Sequence, residues 1–260
     1  MSRVLPPLDL HAHVDPHISP RSLEALGAVV FAAGRSLEEF EHVSGRTDAV
    51  TVWGLGCHPG VMAAEDGFSQ ARFVKLLVGS PYVSEVGLDG NSEVALELQS
   101  EVFRSILAEV GKRPRLLSVH SRRASTLALD LIESSGVERP ILHWWLGAES
   151  ETRRALGLGC MFSVNRSMDI LKLRAAGVPL DRLLPETDHP SGNRRGGGIR
   201  QPGWTVDVEQ AVGEIYGLSQ EAVRLRFWNT FVRLVDDLKV AGLLPPVVQA
   251  MVSQARKSVR

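Results

Sequence analysis

The sequence lacks several features that are typical of particular classes of protein. Only two of its 260 residues are cysteines, which excludes a scaffold held together by many disulfides. It contains no apolar run long enough to span a bilayer and no signal-peptide segment near its N-terminus. Its 29 basic and 30 acidic residues nearly cancel, so it lacks the strong positive field of many nucleic-acid-binding proteins. A polyanionic ligand would therefore have to be held locally.

These absences favour a soluble cytoplasmic protein with no membrane segment. Cys57 and Cys160 both lie inside apolar runs, as expected of buried thiols in a reducing compartment. A length of 260 residues suits a single β/α barrel, and the sequence has neither an internal repeat nor an obvious domain boundary. We therefore predict one metal-dependent hydrolase domain over residues 1–260, for the reasons that follow.

Side chains that bind metals recur along the chain, each group at or just after the end of a short apolar run. The groups are Asp9–His13, Cys57–Pro59, Ser84–Asp89, Val119–Arg122, His143 and Glu186–Pro190. A parallel β/α barrel brings its strand ends to one mouth, so residues far apart in sequence converge there. The pattern therefore indicates a metal-dependent hydrolase.

Eight apolar runs have the length of strands. They are Leu8–His11, Ala28–Phe31, Val50–Gly56, Tyr82–Val86, Leu116–His120, Ile141–Trp144, Met161–Val164 and Leu183–Glu186. Most are continuous rather than alternating, as is typical of parallel strands covered on both faces. Helix-like segments separate them, which fits a closed (β/α)8 barrel or a doubly wound sheet. We favour the TIM-type barrel, an α/β fold, because the candidate site residues come from many strands.

The segments between the runs carry helix signals. Ser36–Glu39 has the pattern of a capping box. The apolar stripe within Leu218–Lys239 predicts an outer helix that closes the barrel. Further helices are predicted at Glu93–Val110, Ser125–Ser135 and Leu171–Ala176, each followed by a terminating glycine.

Two histidines and a glutamate are the first candidate metal ligands. His11 and His13 are two residues apart on the first strand, so both project to the same side. They could form a bidentate clip for a transition metal, or they could be surface histidines at a strand end. Glu85 ends the fourth run, where a buried carboxylate must be coordinated or paired. It could bridge two ions or form an ion pair with an arginine.

Further ligand candidates follow later runs. His120 and His143 each end an apolar run, and with Glu85 they could form a second metal site. Asp188 follows the last run, where it could bind a metal or accept a proton from metal-bound water. Asp89 is as compatible with a turn cap as with a ligand.

Other side chains are candidates for substrate binding. His58 precedes a proline and has no second ligand-type residue nearby, so we predict that it donates a hydrogen bond to a substrate oxyanion. Arg122 could hold the same anion, and the arginines of segment 194–200 could contact phosphate. Trp144 could stack on a nucleobase or pack against a helix.

The order of these motifs resembles that of the TatD family of metal-dependent deoxyribonucleases, a branch of the amidohydrolase-like barrels. His-x-His, Gly-x-His-Pro, Glu-x-Gly-Leu-Asp, His-x-Arg, His and Glu-Thr-Asp-x-Pro follow one another from about Leu8 to about Val235. The resemblance implies two divalent-ion sites bridged by Glu85, with His11, His13 and Asp188 in one and His120 and His143 in the other. It also implies that His58 and Arg122 lie near the substrate phosphate.

The implied activity is phosphodiester hydrolysis by a water that two divalent ions activate, with Asp188 and Glu85 as catalytic residues. The ions could be zinc, manganese, nickel or magnesium. The implied substrate is DNA, as single strands or 3′ ends. Some relatives occur in bacterial anti-phage operons such as the Qat system, so a QatD-type protein with partners from a defence or repair operon is one implied relationship. The segment Trp144–Gly147 departs from the family, because it is bulkier than the usual small polar or aromatic stretch.

Two other functions are compatible with the motifs. An amidohydrolase of a small cyclic amide, ester or lactone could use the same metal site, although no lysine stands at a strand end where a carbamylated bridge would form. A non-catalytic metal-binding subunit of a larger complex is the second alternative, which the intact set of ligands disfavours.

Overall fold

The computed structural model describes residues 4–193 and 201–258, in which strands and helices alternate. Eight strands lie in these residues: β1 (Leu8–Ala12), β2 (Val29–Ala32), β3 (Thr51–Trp53), β4 (Tyr82–Gly87), β5 (Leu116–His120), β6 (Ile141–Leu142), β7 (Met161–Val164) and β8 (Leu183–Pro185). Each of the eight predicted runs overlaps one of them. The predicted strand positions are therefore confirmed, and only the ends of some strands differ.

Eleven α-helices occupy the connections in the same described residues. They are α1 (Pro20–Ala25), α2 (Leu37–Val43), α3 (Met62–Asp66), α4 (Gln70–Leu77), α5 (Leu96–Lys112), α6 (Ser125–Ser135), α7 (Glu149–Gly157), α8 (Ile170–Ala175), α9 (Val206–Tyr216), α10 (Gln220–Asp237) and α11 (Pro246–Ser258). Ser36 caps α2 as predicted, because its hydroxyl accepts a hydrogen bond from the Glu39 N–H. The predicted end of α5 at Gly111 is wrong, since the helix continues through that glycine to Lys112.

The strands run parallel in the order of the sequence. Hydrogen bonds join β1, β2 and β3 in one group and β4 to β8 in another. The two groups meet at the end of β3, where the Leu55 N–H donates to the Tyr82 carbonyl at 3.0 Å. At the same junction the Ser84 N–H donates to the Leu55 carbonyl at 3.1 Å. The sheet is thus continuous from β1 to β8.

The remaining gap, between β8 and β1, closes at the carboxyl ends of these strands. The Asp188 N–H donates to the His11 carbonyl at 2.8 Å, and the His13 N–H donates to the His189 carbonyl at 3.0 Å. These bonds complete a ring of eight parallel strands. The predicted TIM-type α/β barrel is therefore confirmed.

Side chains inside the barrel change from apolar to polar along β5 and β8. On β5, Leu116, Ser118 and His120 alternate with outward-facing residues, and on and after β8 Leu184 and Glu186 do the same. Leu116 and Leu184 belong to one buried apolar cluster, whereas Ser118 and Glu186 are buried polar residues above it. The part of the barrel near the amino ends of the strands is therefore filled with apolar side chains, and the candidate functional groups lie at the carboxyl ends.

The last two helices cover the opposite end of the barrel. Trp228 and Phe231 of α10, with Val248 and Val252 of α11, belong to the same apolar cluster as the first residues of several strands. The Phe231 ring lies 5.3 Å from that of Phe31 on β2. The helix predicted to close the barrel does so at its floor. In the described part of the chain, no helix combines the length and apolarity needed to cross a membrane.

Candidate active site

Glu85, on β4, lies at the centre of the candidate site and is almost wholly buried. Its Oε1 lies 2.5 Å from His120 Nδ1 and 2.9 Å from His143 Nε2. Its Oε2 lies 3.2 Å from His13 Nε2 and 3.5 Å from His11 Nε2. The two carboxylate oxygens therefore face two separate pairs of histidines. Within residues 4–193 and 201–258, no arginine pairs with Glu85, so its neighbours are not those of an arginine ion pair.

The first pair of histidines is oriented by groups on the far side of each ring. His13 Nδ1 lies 3.3 Å from the Ala33 carbonyl, which can only accept a hydrogen bond. His11 Nδ1 lies 2.8 Å from the Ser118 hydroxyl. A proton on Nδ1 satisfies both contacts, and it leaves the Nε2 lone pair of each ring facing Glu85.

The second pair is oriented by carboxylates. His120 Nε2 donates to Asp89 Oδ2 at 3.0 Å, which leaves the Nδ1 lone pair facing Glu85. His143 has the opposite orientation, with Nδ1 3.7 Å from Glu186 Oε2 and Nε2 facing Glu85. Histidines whose outer nitrogen faces a carboxylate or carbonyl are typical metal ligands.

The residues present fit divalent cations. Two buried atoms at the centre, His11 Nε2 and Glu85 Oε2, have no hydrogen-bond partner among the described residues. An unpaired buried polar atom is costly, and imidazole nitrogens with carboxylate oxygens are the ligands of zinc and related metals. The donor atoms of His11, His13 and Glu85 lie within 4.8 Å of one another, as do those of His11, His143 and Asp188.

The charges of the site support the same conclusion. Burial and then the nearby His143 lower the pKa of His11 to about 4, which keeps this imidazole neutral. Burial by itself raises the pKa of Glu85, but His58, His143 and His120 outweigh burial and lower it well below its usual value. Glu85 is therefore ionised and His11 neutral, which are the protonation states that bind metals. Burial by itself lowers the pKa values of His13, His120 and His143, but Glu85 outweighs burial and raises all three, that of His143 well above its usual value, so a cation would displace protons from these rings.

His58 differs from these four histidines because the ring nitrogen that faces Glu85 carries its proton. The backbone N–H of Gly60 donates to His58 Nδ1 at 2.8 Å. Nδ1 is therefore an acceptor, and the proton of the neutral ring lies on Nε2. Nε2 lies 3.3 Å from Glu85 Oε2 and faces the site. A protonated nitrogen has no lone pair for a metal, so the geometry fits the predicted hydrogen-bond donor.

Asp188 stands beside the first pair of histidines. Its Oδ1 lies 3.7 Å from His13 Nε2 and 3.9 Å from His11 Nε2. Burial, followed by the carboxylates of Glu186 and Glu85, raises the pKa of Asp188 to about 7. A carboxylate with that pKa can gain and lose a proton near neutral pH.

The predicted substrate residues Arg122 and Trp144 line the same cavity as the histidines and carboxylates. The volume of this cavity is about 380 Å³, within the range of small-ligand sites. Trp144 is half-buried, whereas the adjacent Trp145 is buried in the core. The arginines predicted to contact phosphate in segment 194–200 lie outside the described residues.

Two carboxylates of the site were not assigned a role from the sequence. Glu186 is buried, accepts hydrogen bonds from Asn165 Nδ2 and the Trp144 N–H, and faces His143. Its position directly after the apolar run that forms β8 could have indicated this. Asp89 caps a turn through the Asn91 N–H, as one of its two sequence interpretations predicted, and its Oδ2 accepts a hydrogen bond from His120 Nε2.

Comparison with known proteins agrees with the fold and shows the family. A family model described as TatD related DNase matches residues 8–236. The human protein "Deoxyribonuclease TATDN3" is 26% identical over 251 residues, covering 83% of this chain and 89% of the human protein.

Two solved structures have the same fold. The TatD homolog YJJV from Escherichia coli K12 has a TM-score of 0.74 at 21% identity, covering 87% of this chain and 96% of that chain. A TatD family hydrolase from Entamoeba histolytica has a TM-score of 0.72 at 16% identity, covering 89% and 98% of the two chains. Since the family model spans most of the sequence, the resemblance inferred from the motifs is confirmed: the chain belongs to the TatD-related DNase family of hydrolases.

Proposed function

We propose that this chain is a phosphodiester hydrolase that uses two divalent cations to cleave DNA at ends or in single strands. The observation that carries the proposal is the position of Glu85. Its two oxygens face separate histidine pairs, with His120 and His143 on one side and His11 and His13 on the other. One carboxylate with two sets of nitrogen ligands is the arrangement that a two-cation site requires.

Each proposed cation has its own ligands. His11, His13 and Asp188 would hold one cation, His120 and His143 would hold the other, and Glu85 would contribute one oxygen to each. When bound, such cations act as Lewis acids and lower the pKa of water. Zinc, manganese, nickel and magnesium are all compatible with nitrogen and carboxylate ligands.

Side chains of this protein accept the proton and bind the phosphate. In the proposed reaction a water oxygen bonds to phosphorus and the bond from phosphorus to the departing sugar oxygen breaks. Asp188, whose pKa burial raises to about 7, accepts the proton that the attacking water loses. His58 donates from Nε2 to a phosphate oxygen, and Arg122 provides a positive charge at the same cavity.

DNA as the substrate is supported by the family and by the size of the cavity. The human relative is named a deoxyribonuclease, and a cavity of about 380 Å³ suits one nucleotide better than a duplex. The near balance of basic and acidic residues also favours contacts with one or two phosphates over tracking along a duplex. We therefore infer cleavage at single-stranded or frayed ends, including 3′ ends.

The proposal also includes the domain organisation and the cellular location of the enzyme. We infer one hydrolase domain over residues 1–260 and a cytoplasmic location, which the free, buried Cys57 and Cys160 support. Protein partners from a bacterial defence or repair operon, and a QatD-type relationship, stay predictions.

Metal reconstitution tests the proposed function. Protein stripped with a chelator and reloaded with zinc, manganese, nickel or magnesium should bind about two ions per chain and hydrolyse single-stranded oligonucleotides and bis-p-nitrophenyl phosphate. Hydrolysis of hydantoins or lactones with no phosphodiester cleavage would instead identify a cyclic-amide or lactone hydrolase. Metal-loaded protein that cleaves none of these substrates would contradict a catalytic role.

A further inference from the structure

The loop that follows β6 exposes apolar surface at the rim of the candidate site. Of the twelve described residues that line the cavity, Trp144 and Leu146 alone are apolar. Leu146 is 68% exposed. A single exposed leucine is ordinary, but a leucine and a tryptophan together at the edge of a polar cavity form a contact surface for something apolar that enters it.

The neighbours of these two side chains hold the loop in one conformation. Trp145 is buried, and its Nε1–H donates to Thr152 Oγ1 at 2.8 Å. A Cβ atom on Gly147 would lie 2.1 Å from the Trp145 ring, so close packing at this point requires glycine. The anchored Trp145 fixes the residues on either side of it.

The backbone of Trp144 is held separately. Its N–H donates to the buried Glu186 Oε1 at 3.1 Å. Its φ of +39° is a backbone conformation that residues other than glycine rarely adopt. His143 faces Glu85 while Trp144 and Leu146 line the cavity. Glu186 thus holds the backbone of Trp144 and lies beside the ring of His143, a proposed metal ligand.

We propose that Trp144 and Leu146 form a stacking platform for the terminal nucleobase of a single-stranded DNA, next to the phosphodiester that is cleaved. Every nucleobase has an apolar face, so stacking accepts any sequence. A terminal base that is paired in a duplex is held by its partner strand, so it must unpair, at a cost in free energy, before it can occupy the platform. The platform therefore selects unpaired ends, and this inference rests on the proposed function.

Oligonucleotides with and without terminal bases test the platform. One single-stranded oligonucleotide carries normal nucleosides at both ends, and a second carries abasic tetrahydrofuran residues there. The metal-loaded wild-type protein should cleave the normal oligonucleotide with a kcat/KM about 5- to 150-fold higher, the effect of losing one stacked base. Leu146→Ser and Trp144→Ala should bring the ratio of the two kcat/KM values close to one, mainly through KM.

An exposed leucine elsewhere provides the control. Leu171, on α8, is 59% exposed and does not line the cavity, so Leu171→Ser should leave both the ratio and the activity unchanged. Because Leu146 is on the surface, Leu146→Ser should fold like the wild type. A wild-type protein that cleaves both oligonucleotides equally would overturn the platform and leave the phosphodiesterase proposal intact. If it cleaves neither, both proposals fail.

Discussion

Asp9 accepts two hydrogen bonds from Thr187, one from its N–H at 2.8 Å and one from its hydroxyl at 2.7 Å. It also accepts one from the Gly203 N–H at 2.7 Å. A single buried carboxylate therefore ties β1 to the segment after β8 and to the chain beyond residue 200. It does so beside Asp188 and His11, at the junction where the barrel closes.

Asp9→Asn should destabilise the protein, because the NH₂ group of the amide would face a donor from Thr187 or Gly203 that now bonds to a carboxylate oxygen. We expect the free energy of unfolding to fall by about 1–3 kcal/mol, measured by urea denaturation at pH 7.5. Asp15→Asn, at an exposed position, should have little effect. Equal stability of Asp9→Asn and the wild type would show that this junction does not depend on the carboxylate.

His58→Ala should lower turnover and leave the metal content unchanged. The Gly60 N–H bond leaves the His58 proton on Nε2, so the variant loses a donor and not a ligand. Loss of one such donor typically costs about 100- to 1,000-fold in kcat. Elemental analysis alongside oligonucleotide kinetics measures both quantities, with the exposed His17→Ala as the control. Loss of an equivalent of metal in His58→Ala would make His58 a ligand.

Glu85→Ala should remove metal and activity together. Glu85 is the group that both histidine pairs face, so its loss deprives both proposed cations of a ligand. Elemental analysis after gel filtration should give well under one ion per chain, with a circular dichroism spectrum like that of the wild type. Glu38→Ala, on an exposed position of α2, is the matched control. Full metal content in Glu85→Ala would exclude the bridging role.

Metal affinity should fall as the pH falls through 7. Burial raises the pKa of Asp188 from 3.8 to about 7, so below pH 7 a cation must displace a proton from this carboxylate. Each displaced proton lowers the apparent affinity about tenfold per pH unit. Competition with a chelating dye at pH 6, 7 and 8 measures the slope. If the affinity depended more steeply on pH above pH 7 than below it, this assignment would be wrong.

Asp188→Asn should flatten that pH dependence and should reduce turnover by more than it reduces metal occupancy. The amide can still offer an oxygen to a cation but cannot accept the proton of the attacking water. Steady-state kinetics at saturating metal separates the two effects. Turnover equal to that of the wild type would exclude Asp188 as the proton acceptor.

Glu65 provides a stability prediction away from the proposed metal ligands. It is 2% exposed, its Oε1 lies 3.6 Å from Cys57 Sγ, and burial raises its pKa from 4.5 to about 7. Because the folded pKa is the higher one, the stability this group contributes is complete below pH 4.5 and is lost as the pH rises through 7.

Glu65→Gln should therefore stabilise the protein at pH 8, by at most about 3 kcal/mol, and should change little at pH 5. Urea unfolding at the two pH values measures the difference, with the exposed Glu38→Gln as the control. A Glu65→Gln variant that is less stable than the wild type at pH 8 would show that the ionised Glu65 carboxylate does not destabilise the folded protein.

Much of the fold could be predicted because parallel strands buried on both faces leave continuous apolar runs. The run Leu116–His120 coincides with β5, and Met161–Val164 coincides with β7. The end of α5 was predicted less well, because Gly111 does not stop a helix that still packs against the barrel. Local signals describe what a segment prefers, and packing decides where it ends.

The chemistry of the site was predictable only as a set of residue types. His58 and His120 have the same side chain, and both carry the proton on Nε2, but the protonated nitrogen faces Glu85 only in His58, so their proposed roles differ. That is decided for His58 by the Gly60 N–H and for His120 by Asp89. The Gly60 N–H is close in sequence, yet its direction depends on a turn that spacing alone does not define.

The sequence by itself determined the family, the alternation of strands and helices, and the ligand types at each strand end. Periodicity and residue chemistry are local properties, so they can be read without a structure. Only the tertiary structure decided that Glu85 divides its oxygens between two histidine pairs and that Glu186 holds the backbone of Trp144 beside His143. These relationships join residues far apart in the chain, and they exist only because the barrel brings its strand ends to one mouth.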